Sequence, residues 1–135
     1  MPKYRTKLAL KARWLCDDEQ SRKRGLMEVN DLKDDESAFF IMPGSFGYGF
    51  WNKNVNYDLS LACVNDRFRV VCFIDLQEGS ENVKYPKSRE VKYVVEAKRG
   101  IFDQHGVIEG DYLDFDADDH LLLFKEGNPE KSENG

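Results

Sequence analysis

Residues 4–15, YRTKLALKARWL, alternate apolar and basic side chains with almost no error. Tyr4, Thr6, Leu8, Leu10, Ala12 and Trp14 fall on one side of an extended chain, with Arg5, Lys7, Lys11 and Arg13 on the other. A period of two marks a strand with one buried and one wet face. It commits the N-terminal end to a sheet, and lysines on the wet face discourage stray edge pairing.

The later segments extend that sheet. AFFIM (38–42) is a buried strand, and LSLACV (59–64) and FRVVCFIDL (68–76) flank a turn at NDR. VKYVVEA (91–97) is a further strand, and YLDF and HLLLF close a hairpin around Asp116 to Asp119. Between the first two strands, Asp17 is placed to cap a short helix, Arg22 to Arg24 suit its last turn, and Gly25 its left-handed stop. A second short helix is expected near residues 99–104. PGSFGYG (43–49) reads as a glycine-rich turn and QEGSENVKYPKSRE (77–90) as a long polar loop.

Short connections favour antiparallel pairing. The expected fold is mainly β (a β-rich α+β class), a compact, mostly antiparallel barrel- or sandwich-like domain with one or two short helices. A chain of 135 residues with 41% apolar side chains can fill one core. Residues 1–125 are expected to form that domain, and 126–135 a disordered acidic tail.

Net charge is −5, but the signs are segregated. Residues 1–25 hold eight Lys/Arg against three acids, and residues 101–135 two Lys against ten acids. The whole chain would repel phosphate, so nucleic acid is not an expected partner. No apolar run approaches a membrane span, and no secretory signal opens the chain, so a cytoplasmic protein without membrane contact is expected. Cys16, Cys63 and Cys72 are odd in number, without zinc spacing. With the turn at Asn65 to Arg67, Cys63 and Cys72 fall out of register. Free buried thiols are expected, as in a reducing compartment.

Several fragments, in order, resemble the family known as domain of unknown function 192. They are Arg24-Gly25-Leu26-Met27, then Phe50-Trp51 with Lys53-Asn54, then Asp58-Leu59. Tyr93-Val94-Val95-Glu96 closed by Gly100 follows, then Gly106-Val107 and Gly110-Asp111. The resemblance covers about residues 5–115. It departs at Ser37-Ala38-Phe39-Phe40, where the family has a glycine and a methionine, and at Asn52 and Val55, for Met and Thr. It implies a compact β-rich, barrel-like fold with short helices and no established activity.

The chemistry-bearing residues cluster in GFWNKNVNYDL (49–59). On an extended segment Trp51, Lys53 and Val55 share a face. If Trp51 enters the core, Lys53 crosses a buried edge and needs a carboxylate, with Asp58 and Glu96 as candidates. Glu96 is an acid set among Val94, Val95 and Ala97. One reading is a polar ligand cleft of Lys53, Asn54, Asp58 and Glu96, with Trp51 as its apolar wall and Arg24 as an anion clamp. The other is structural: Asn54 and Asp58 tie turn amides, Lys53 and Glu96 form one ion pair, and Arg24 satisfies helix-end carbonyls.

Asp58 and Glu96 as acid and base would make a hydrolase of a glycoside-like bond. DFDADDH (114–120) lacks the glycine and glutamate of a calcium loop, and His105 and His120 sit in no nucleophile motif. No metal, cofactor or catalytic residue is expected. The function expected is a non-catalytic module, a monomer binding a small polar ligand or a protein. The alternatives are the hydrolase and an accessory or scaffold protein of a larger assembly, a viral one included.

Overall fold

The computed structural model describes residues 4–44 and 48–127. In chain order its elements are β1 (Thr6–Cys16), α1 (Glu19–Arg24), β2 (Glu36–Ile41), β3 (Leu59–Val64) and β4 (Val70–Leu76). Then come β5 (Tyr93–Lys98), α2 (Ile101–Gln104), β6 (Tyr112–Asp116) and β7 (Leu121–Lys125). The strands form one sheet in the order β4-β3-β5-β2-β1-β7-β6. Every neighbouring pair is antiparallel except β1 and β2, which are parallel. The fold is thus mainly β, as expected, with two short helices. The ends of the sheet approach at one isolated bridge, Arg69 with Tyr112, so the sheet curls without closing.

Alternation along the strands supplies two apolar clusters. Leu59, Leu61, Cys63, Phe40 and Val94 belong to one, with Leu26 and Leu32 from the connection after α1. Ala62, Val64, Phe39, Val95 and Ala97 belong to the other, with Phe102 of α2 and Phe124 of β7. Successive residues of β2, β3 and β5 enter opposite clusters, so these strands are covered on both faces. That is why they read as unbroken apolar runs.

Three local expectations need correction. In β1 the register slips between Ala12 and Trp14. The extra residue, Arg13, turns Trp14 onto the cluster opposite that of Ala12, because a one-residue bulge reverses the faces beyond it. Asp18, not Asp17, caps α1: its carboxylate accepts the Ser21 amide at 2.7 Å while Ser21 Oγ accepts the Asp18 amide at 3.1 Å. The β3–β4 turn also runs longer than Asn65 to Arg67. Phe68 adopts a left-handed φ of 63°, and its ring stacks on Tyr93 at 4.8 Å. With Phe68 and Arg69 both in the turn, Val64 faces Val70, and a bulge at Val71 then brings Cys63 directly opposite Cys72. Both are buried free thiols, as is Cys16.

The turn read at 43–49 lies partly, and the tail beyond Gly127 wholly, outside the described residues. Glu126 and Gly127, assigned to that tail, are tied down: the Glu126 amide donates to the Arg5 carbonyl at 2.7 Å and the Gly127 amide to Asp111 Oδ1 at 2.9 Å. Among the described residues no helix is long and apolar enough to cross a membrane.

Candidate functional site

The chain between α1 and β2, the strands β2 and β5, and the segment 48–55 enclose an open cleft of about 1080 Å³. The polar helix α1 buries none of its residues and stands at the rim. Gly25 ends it with φ 47°, and its amide closes the last turn on Ser21 O at 2.9 Å. The walls are Met27, Phe40, Met42, Tyr48, Phe50 and Trp51. Trp51 is 42% exposed, because its ring forms wall and not core.

Glu96 lines the floor. Its strand partners are Ala38 on β2 and Leu61 on β3, so it points out of the middle of the sheet into the apolar cluster. It is 6% exposed. A Cβ on Gly25 would lie 3.8 Å from Glu96 Oε1 and 3.3 Å from Phe40 Cζ. The missing side chain keeps that corner open above the carboxyl. Among the described residues the Glu96 carboxyl has neither a hydrogen bond nor an ion pair, and burial alone pushes its pKa up to about 8. Cys16, buried nearby, is pushed up to about 12 by burial, with Glu96 the next contributor.

The sequence-derived site divides in two. Arg24, Trp51 and Glu96 line this cleft; Lys53, Asn54 and Asp58 do not. Lys53 pairs with Glu81 at 3.7 Å and lies 5.4 Å from the Trp51 ring centroid, so neither expected carboxylate is its partner. With Trp51 at the surface, Lys53 never crosses a buried edge. Asp58 Oδ1 accepts the Glu78 amide at 2.7 Å, tying the start of β3 to the loop after β4. Asn54 holds a left-handed φ of 59°, and its carbonyl accepts the Glu28 amide at 2.9 Å. An acid–base pair of Asp58 and Glu96 is therefore not assembled. Arg24 is exposed and its guanidinium has no partner among the described residues, so it does not serve the helix-end carbonyls.

The polar residue of this segment that is buried is Asn52, at 1% exposure. Its Nδ2 donates to Tyr57 O at 2.8 Å and Gln77 O at 3.1 Å. The walls contributed by Met27, Phe40, Met42 and Tyr48 were not legible as a site. They come from three separate stretches and carry no polar signature.

A second cleft, of about 640 Å³, is lined by Phe39, Phe68, Tyr93, Tyr112 and Phe115 among others. Its rings pack on one another, Phe39 on Tyr93 at 5.8 Å and on Phe115 at 5.0 Å. In the acidic 116–119 turn, Asp116 Oδ1 accepts the Asp118 amide at 3.1 Å and the Asp119 amide at 3.2 Å. No group of three or more His, Cys, Asp or Glu among the described residues could hold a metal ion.

Comparison with known proteins gives a family and a fold. None of the curated proteins compared with the chain matches it. A crystal structure from Sinorhizobium meliloti, described as a "putative transcription regulator", is 26% identical with a TM-score of 0.69, over 74% of this chain and 78% of that one. A protein of unknown function from Novosphingobium aromaticivorans is 22% identical with a TM-score of 0.70, over 75% of this chain and 72% of that one, and shares the fold. The DUF192 family model, described as "Uncharacterized ACR", matches residues 5–115. The fragments from Arg24 to Asp111 fall within that span, and the chain belongs to the domain of unknown function 192 family.

Proposed function

We propose that the domain is a binding module and that the cleft over Glu96 is its ligand site. The observation that carries this is that the Glu96 carboxyl has no partner among the described residues. A buried carboxyl with no hydrogen bond is destabilising, and an apolar residue would fill the same place in β5 at no such cost. The carboxyl gains a partner when a ligand brings one. Around it the walls are apolar, so the ligand has an apolar body and a polar group that reaches the floor. Binding without catalysis is favoured because Asp58, the second acid a hydrolase would use, is spent on the Glu78 amide.

The test is an NMR titration of the full chain with sugars, nucleotides, organic acids and amines, repeated on Glu96→Gln. Amide shifts should centre on Arg24 to Met27, Phe40 to Met42 and Glu96. The substitution should weaken any binder about tenfold or more. Undisturbed amides across the panel, or equal binding by the Gln variant, would defeat the proposal.

A further inference from the structure

We infer that the ligand of this cleft is a small zwitterion, its ammonium nitrogen seated on Glu96 between aromatic walls and its acidic group held outside by Arg24. The inference deepens the proposal above and depends on that cleft being the ligand site.

Among the described residues Phe40, Tyr48, Phe50 and Trp51 line the cleft, with the polarizable Met27 and Met42. Aromatic faces with a carboxylate at the floor are the composition that receives alkylammonium groups, through the ring quadrupole and a direct charge. One ring already attracts a cation: Lys53 Nζ lies 5.4 Å from the Trp51 centroid. A sugar or other neutral polar ligand would need several buried donors and acceptors. Among the described residues Glu96 is the single buried charged residue of the lining.

The rim specifies the other end. It presents Arg22, Lys23 and Arg24 against Glu19 and Glu28. Arg22 donates to Ile41 O at 3.1 Å and Lys23 pairs with Glu19 at 3.1 Å, and the Arg24 guanidinium has no partner among the described residues. A bare cation would cross this basic rim against repulsion. An acidic group on the same molecule turns the repulsion into a second contact.

Binding exchanges a proton. The Glu96 O–H gives its proton to water as the ammonium takes its place, so affinity should rise with pH and level off above about 8. The titratable and charged groups around the carboxyl are Cys16 on β1, Cys63 on β3 with Cys72 beside it, Glu28, Tyr48 and the α1 rim residues. The Glu96→Gln variant separates their contributions from that of Glu96.

The experiment is calorimetric titration of the full chain with trimethylglycine, carnitine and phosphocholine, with choline as the cation alone and 3,3-dimethylbutanol as its uncharged isostere. At least one zwitterion should bind about tenfold or more tighter than choline, and choline tighter than the alcohol. Arg24→Ala should erase the zwitterion's advantage, by weakening the zwitterion and leaving choline no weaker than before. Glu96→Gln should erase the preference for a cation and the pH dependence. Equal binding of choline and the alcohol, or no binding by any probe, overturns the inference. If neutral ligands from the wider panel still occupy the cleft, the binding module survives and only the zwitterion falls. Silence in both experiments removes both.

Discussion

Asp111 and Glu96 are both buried acids within the matched span of the family, yet their surroundings are opposite. Asp111, at the entry to β6, accepts from Lys7 Nζ at 2.8 Å and from the amides of Ile108 and Gly127 at 2.9 Å each. Lys7 spends a further proton on Gly106 O at 2.9 Å. Glu96 has none of this. A buried acid that holds a fold together is saturated by the fold, and one left bare at the floor of a cleft answers to something else. The family resemblance alone does not separate the two, because both lie in its fragments; the hydrogen-bond census does.

The comparison breaks most visibly at Asp111. Asp111→Ala should destabilise the domain by about 4–5 kcal/mol, because it strands a buried Lys7 and two amides. Urea denaturation measures this, and a loss under about 1 kcal/mol would mean that Asp111 holds little together.

Glu96 should act in the other direction. The unfolded chain releases this proton near its ordinary value of 4.5, while the folded domain keeps it up to about 8. Unfolding therefore releases a proton between those values, and stability falls as pH rises through the window. Between pH 5 and 8 the native chain should lose about 3 kcal/mol more stability than Glu96→Gln, the other titrating groups being common to both. Parallel stability–pH profiles for the two proteins would contradict the burial of an unpaired carboxyl.

Gly25→Ala should cost about 1–2 kcal/mol, since φ is 47° and the new methyl would sit 3.3 Å from Phe40 Cζ. It should also weaken any ligand that reaches the corner above Glu96. The smallest effect belongs to Lys53→Met, whose exposed pair with Glu81 should be worth under about 0.5 kcal/mol in thermal unfolding. Its ligand affinity in the calorimetric titration should match the native chain's, and a clear change would place Lys53 at the cleft.

Much of the fold was legible because its signals are local. The alternation in β1, the apolar runs of β3 and β5 and the stop at Gly25 each act within a few residues, and a strand covered on both faces shows in its composition alone. Glu96 was legible for the same reason, as an acid set between Val95 and Ala97 of such a strand. Lys53 was misassigned because its partner depends on where Glu81 falls, in a loop whose path no local propensity sets. The Cys63–Cys72 alignment was missed because Phe68 extends the turn from a left-handed position that usually signals glycine, and a bulge at Val71 then shifts the register.

The sequence by itself determined a β-rich domain, two short helices and one acid out of place in a buried strand. Only the tertiary structure decided that β1 and β2 run parallel, that the end of α1 overhangs β5, and that Trp51 faces a cleft. Those outcomes depend on register and chain crossing between residues far apart in sequence, where a shift of one residue exchanges the faces of a strand. The same crossings saturate Asp111 and leave the Glu96 carboxyl without a partner among the described residues.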